Sequence, residues 1–80
     1  MKLNIHITLK NGVLDPQGRA IKQSLNELGF HEAEDVRQGK YLEIELNELD
    51  PNKAIIKANE MCEKLLANTV IENYQVEIDE

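Results

Sequence analysis

Residues 2–10 alternate apolar and polar side chains without a fault: Leu3, Ile5, Ile7 and Leu9 point one way, and Lys2, Asn4, His6, Thr8 and Lys10 the other. Strict period-two alternation is incompatible with an amphipathic helix and demands a strand with one buried face. The pattern returns at residues 40–47, where Leu42, Ile44 and Leu46 oppose Tyr41, Glu43, Glu45 and Asn47. It returns again at residues 73–79, where Tyr74, Val76 and Ile78 oppose Gln75, Glu77 and Asp79. Between these runs lie two helix-start signals, Asp15-Pro16 and Asp50-Pro51, 35 positions apart. In each, the aspartate can cap a helix and the proline suits its first turn. The first helix is expected from Pro16 to Leu28, ending at Gly29, with Ile21, Leu25 and Leu28 as its apolar stripe. The second stripe is Ala54, Ile55, Ala58, Cys62, Leu65 and Leu66, with Asn68 as the stop.

A further, weaker strand is expected near residues 32–37, followed by a tight turn at Gln38-Gly39. The order is then βαββαβ, two similar halves in succession. A right-handed crossover in each half interleaves the strands into one four-stranded antiparallel sheet ordered 4-1-3-2, with both helices on one face. That is an α+β fold of the ferredoxin-like plait type. The charges agree, because Lys2, His6 and Lys10 lie between Glu43 and Glu45 on one neighbouring strand and Glu77 and Asp79 on the other.

Composition narrows what such a fold can do. Eighty residues with 41% hydrophobic side chains make one small domain. A chain this size buries only about 60% of its unfolded surface, so self-association is expected. No apolar run approaches the roughly 18 residues of a membrane span, and the alternation from Lys2 onwards does not read as a leader peptide. The net charge is −6, with +1 on residues 1–40 and −7 on residues 41–80. An acidic chain with one tyrosine on its open sheet face is a poor ligand for nucleic acid. A single cysteine, Cys62, makes no internal disulfide, and a cytoplasmic location is the default.

Reactive groups are few. Cys62 shares a helical stripe with Ala58 and Leu66 and reads as a core thiol. His6 and His31 have no partner at a metal-ligand spacing, so no metal site is expected. Gly12 and Gly18 flank a helix start, but Asp15 puts a negative charge where an anion would sit. Arg19 leaves an acylphosphatase-like hydrolase as a remote alternative. The carboxylates read as solvated faces. A small-metabolite-sensing plait dimer is the alternative from another class.

Three segments carry a specific likeness: Gly12-Val13-Leu14-Asp15-Pro16-Gln17-Gly18, then Asp35-Val36-Arg37-Gln38-Gly39-Lys40-Tyr41, then Met61 to Asn68 running on to Val70-Ile71-Glu72-Asn73-Tyr74. In this order and spacing they resemble the PurS family, the small subunit of phosphoribosylformylglycinamidine synthase. The resemblance spans residues 1–80 as one PurS-like domain. Thr69 stands where many members have proline, and Asn11 occupies a variable position.

The resemblance implies a role in de novo purine biosynthesis. The complex of that family is an ATP-dependent carbon–nitrogen ligase with glutamine as amide donor, converting formylglycinamide ribonucleotide to formylglycinamidine ribonucleotide. It implies two partners, a glutaminase subunit (PurQ) and a large synthetase subunit (PurL) that holds ATP and magnesium. The small subunit bridges them and assists ammonia transfer, brings no catalytic residue or cofactor of its own, and forms dimers that can pair further. Partner-contact candidates come from the matching segments. Val13, Leu14, Asp15 and Gln17 lie in the first loop, where the apolar pair either offers a contact surface or tucks under the helix start. Arg37, Lys40 and Tyr41 gather at the expected hairpin corner, and Glu63 and Lys64 face outward from the second helix.

Overall fold

A computed structural model describes residues 1–79. The elements are β1 (Lys2–Leu9), α1 (Pro16–Glu27), β2 (Gly39–Glu45), α2 (Pro51–Met61), a π-helical turn (Cys62–Leu66) and β3 (Glu72–Asp79). β1 is the centre of the sheet and pairs antiparallel with both neighbours, in the order β2-β1-β3. The register aligns the apolar positions. Leu3 faces Ile44 and Ile78, Ile5 faces Leu42 and Val76, and Ile7 faces Lys40 and Tyr74. The polar positions align as well: Lys2 reaches Glu43 at 3.3 Å and Asp79 at 3.8 Å across the open face.

Two expectations are corrected. The sheet has three strands, so the four-stranded 4-1-3-2 plait does not form. Residues 32–37 form no strand, and Gln38-Gly39 is no hairpin turn, since Gly39 opens β2. Gln38 cannot serve a hairpin turn, because its N–H donates to the Asp15 carboxylate at 2.7 Å, and Ala33 and Val36, three positions apart, give residues 32–37 no strand face. The helices also do not share one sheet face.

α2 is the helix that covers the sheet. Ala54 and Ala58, both fully buried, pack on Leu3 with Val76 and Ile78 beside them. Small side chains at this contact let the helix approach the strands closely. Ile5 and Ile7 complete the core with Cys62 and Ala67. Each of Leu3, Ile5 and Ile7 is 0% exposed, and full burial of such a side chain is worth about 1.5–3 kcal/mol.

The end of α2 departs from the expected stripe. The Ala67 N–H donates to the Cys62 carbonyl at 3.0 Å, an i to i+5 bond that widens the last turn. One extra residue in the turn rotates the side chains beyond it. Cys62 stays buried and Leu66 half-buried, but Leu65 swings out to 83% exposure instead of joining the core.

α1 stands apart. Of its twelve residues only Gly18 is buried. The chain measures 48 × 27 × 14 Å, with a radius of gyration of 15.9 Å, against about 12 Å for a compact chain of this length. α1 and the segment that returns from it form an arm projecting from the sheet.

Candidate functional site: a helical arm clamped at its base

The arm runs out along α1 and back through residues 28–37. It turns at Gly29, whose φ of +102° is a left-handed conformation that glycine adopts freely. The Phe30 N–H closes the turn on the Leu25 carbonyl at 2.9 Å. Ile21, Leu25, Leu28 and Phe30 give the arm an apolar edge, with Leu28 74% and Phe30 51% exposed. Between α1 and the returning segment lies an open groove of about 1020 Å³. Leu14, Pro16, Ala20 and Val36 line it with Arg19, Lys22 and His31.

Four residues hold the base. Asp15 is buried, and its carboxylate accepts from the Gly18 N–H at 2.9 Å and the Gln38 N–H at 2.7 Å. One side chain therefore caps α1 and ties the outgoing foot of the arm to the returning one. The Arg37 guanidinium donates to the Val13 carbonyl at 3.0 Å and the Lys10 carbonyl at 3.1 Å. Gln38 Nε2 donates to Gln17 Oε1 at 2.8 Å. At Gly18 the two feet nearly touch, since an added Cβ would lie 2.2 Å from the Val36 carbonyl oxygen.

The hydrogen bond from the Gln38 N–H, then that from the Gly18 N–H, hold the Asp15 carboxyl below the ordinary carboxylate range. A carboxylate held low in the folded state stabilises the fold above its unfolded pKa of about 3.9. That contribution is lost as pH falls through the lower folded value. Asp15→Asn is expected to flatten the acid limb of stability below about pH 4. At neutral pH asparagine can still cap α1, but the Gln38 N–H would face an amide NH2 in place of a carboxylate oxygen, which should lower Tm by about 4–8 °C in a domain this small. Melts recorded by circular dichroism between about pH 2 and 7 would check both. An unchanged acid limb would remove Asp15 from the clamp.

The structure sorts the expected contact residues into two sets. Asp15, Gln17 and Arg37 are joined to each other's segments inside the chain and hold the base of the arm, with Gln17 and Arg37 exposed there. Val13 is half-buried under them, while Leu14 is 63% exposed at the mouth of the groove. Lys40 reaches across β1 to Glu72 at 3.5 Å. Tyr41 lies on the open sheet face, its ring centroid 4.8 Å from that of His6 and its hydroxyl on Glu43 at 3.2 Å. Glu63 accepts from the Tyr74 hydroxyl at 2.8 Å and pushes that phenol's pKa up. Lys64 is exposed beside Leu65, at a small apolar hollow on the far side of α2. Sequence reasoning missed the arm's apolar edge as a surface, because it assigned Ile21, Leu25 and Leu28 to the core.

Cys62 is fully buried, and burial together with the nearby Glu63 raises its thiol pKa. The thiolate is the reactive form. Its reaction with an aromatic disulfide reagent is expected to be many times slower in the native chain than in denaturant, which absorbance would read directly. Among the described residues no group of three or more His, Cys, Asp or Glu side chains is placed to hold a metal ion. No helix among them is long and apolar enough to cross a membrane.

These features define a class, a small α+β chain that extends a clamped helical arm from a three-stranded sheet. The family model described as PurS, phosphoribosylformylglycinamidine (FGAM) synthase, matches residues 2–80. The chain belongs to the PurS family. It is 46% identical over 79 residues to the phosphoribosylformylglycinamidine synthase subunit PurS of Bacillus subtilis, covering 99% of this chain and 93% of that protein. The crystal structure of Methanocaldococcus jannaschii PurS, described as one of the subunits of formylglycinamide ribonucleotide amidotransferase in the purine biosynthetic pathway, superposes with a TM-score of 0.89. Identity there is 40%, over 99% of this chain and 95% of that one. A chain of the PurLQS structure from Thermotoga maritima superposes with a TM-score of 0.87 at 32% identity, covering 95% of this chain and 93% of that one.

Proposed function

We propose that this chain is the bridging subunit of phosphoribosylformylglycinamidine synthase in purine biosynthesis, holding a glutaminase (PurQ) against a large synthetase subunit (PurL) in the cytoplasm. The observation that carries this reading is the arm, whose apolar edge lies open on a chain of a family with a solved PurLQS assembly. In this reading ammonia passes between the two larger subunits, and ATP and magnesium belong to the large one. The small subunit acts by geometry. It works as a dimer, which presents two arms, and dimers can pair further. Exposed Leu28 and Phe30, neighbours at the end of the arm, support self-association, since large apolar side chains gathered on a small surface mark interaction sites.

Reconstitution tests the reading. Glutamine-dependent amidation of formylglycinamide ribonucleotide is expected from the three purified subunits together and to fall sharply when this chain is left out. Full glutamine-dependent activity without it would overturn the proposal. Sedimentation at micromolar concentration should show species heavier than 9.1 kDa. The groove beside α1 favours a second reading, a sensor of small metabolites. Micromolar binding of an amino acid or nucleotide to the isolated chain, measured by calorimetry, would favour it.

A further inference from the structure

We infer that the outward face of α2, with Leu65 at its centre, is the docking surface for an acidic amphipathic helix of a larger subunit. The inference rests on the bridging reading and adds where on this chain a partner sits and what chemistry it brings.

The end of α2 gives up a side chain that the core could have used. Met61 to Asn68 is one of the three segments that carry the family likeness, and core packing accounts for Cys62, Leu66 and Ala67 within it. It does not account for Leu65. The wide turn closed by the Ala67 N–H on the Cys62 carbonyl leaves that leucine 83% exposed. Single π-turns of this kind are rare and concentrate at functional sites. Beside Leu65 is an open hollow of about 400 Å³, with Met61 and Leu66 as its other apolar walls and Lys57, Glu60 and Lys64 around them. Ile56, 59% exposed, stands one turn before Glu60 and extends the apolar surface. The hollow runs along a helix between positions three and four apart, the kind of groove into which the side chains of a second helix pack.

Charge selects the occupant. Residues 41–80 carry a net charge of −7, yet all three of their cations, Lys53, Lys57 and Lys64, lie four and seven positions apart along α2. That spacing gathers them on its outward face, away from buried Ala54 and Ala58. Lys57 is braced by Glu48 at 3.0 Å. Glu60 lies between the lysines, whereas Glu63 is turned aside to the Tyr74 hydroxyl at 2.8 Å. A second copy fits this face poorly. α2 against α2 sets lysines on lysines, and α1 offers Arg19 and Lys22 against one carboxylate, Glu27. A helix of another chain, with large apolar side chains flanked by carboxylates, matches both the hollow and its rim. A bridge also needs two separate surfaces, and this one belongs to a different element from the arm.

The purified larger subunits provide the test. Leu65→Asp alters an exposed side chain, so Tm and self-association should stay at wild-type values while affinity for the larger subunits falls about tenfold or more. Leu65→Met should bind as wild type does, and Lys64→Glu should weaken binding most at low salt. A carbodiimide, which joins an amine directly to a carboxylate, should link Lys53, Lys57 or Lys64 to an Asp or Glu of a larger subunit, as mass analysis of the joined peptides would read. Wild-type affinity in Leu65→Asp, or links from these lysines only to carboxylates of this chain, would overturn the inference and leave the bridging reading standing. Loss of self-association in Leu65→Asp would overturn it too, by making this a face between copies. A wild-type chain that fails to join the larger subunits at all would overturn both.

Discussion

Ile5→Ala is expected to lower the stability of the isolated chain by about 3–4 kcal/mol, within the range for emptying a buried isoleucine site. Ile5 is 0% exposed and sits at the middle of the central strand, between Leu42 on β2 and Val76 on β3. Cys62 and Ala67 close over it from the helical layer. A site walled on three sides by ordered structure collapses poorly, so the cavity cost adds to the lost transfer energy. A single core in a chain of under about 80 residues rarely supplies more than 3–5 kcal/mol. The variant should therefore be largely unfolded at room temperature unless a partner is present. Ile56→Ala is the matched control, because Ile56 is 59% exposed and such a change typically stays within about 0.5 kcal/mol. Thermal melts of the two variants side by side give the answer. A loss below about 1 kcal/mol for Ile5→Ala would mean that the core is not centred on β1.

Gly18→Ala is the second large effect, and its sign is the informative part. Inside an ordinary helix, replacing glycine by alanine raises stability by about 1 kcal/mol. Here the added Cβ would lie 2.2 Å from the Val36 carbonyl oxygen and 2.8 Å from Asp15 Oδ2. The first is backbone and the second is the carboxylate that joins the feet of the arm, so neither can yield cheaply. Overpacking of this kind costs about 1–3 kcal/mol, and the base of the arm should open. A lower Tm, with faster amide exchange at Gln38, is the expected result. Ser24→Ala, at an exposed position of the same helix, should be neutral or slightly stabilising by comparison. A higher Tm for Gly18→Ala would show that the two feet are not in contact.

Much of this fold was legible in the amino-acid sequence. Strict alternation marked β1, β2 and β3 to within two residues at each end. Asp15-Pro16 and Asp50-Pro51 marked both helix starts, and Gly29 marked the end of α1. The strand expected near residues 32–37 failed because its apolar residues, Ala33 and Val36, are spaced by three, which no strand face uses. The register of a strand also depends on free backbone donors, and the claim of Asp15 on Gln38 spans 23 residues. Pairing at that separation leaves no local signature. Leu65 fitted a 3.6-residue stripe, and only the wider turn closed by Ala67 and Cys62 turns it outward. Asp15, Gln17 and Arg37 stood out as residues of interest, yet their inward hydrogen bonds did not, because a sequence does not reveal whether a polar side chain reaches inward or away.

The base of the arm has a mechanical consequence. α1 is a rod of about 18 Å hinged at one end, so a tilt of about ten degrees at its foot carries the far end through about 3 Å. Shifts at Arg37 too small to register in melting temperature would arrive magnified at Leu28 and Phe30. The mildest substitutions near the pivot, such as Arg37→Lys, should thus behave as errors of aim, sparing the hub while spoiling the reach.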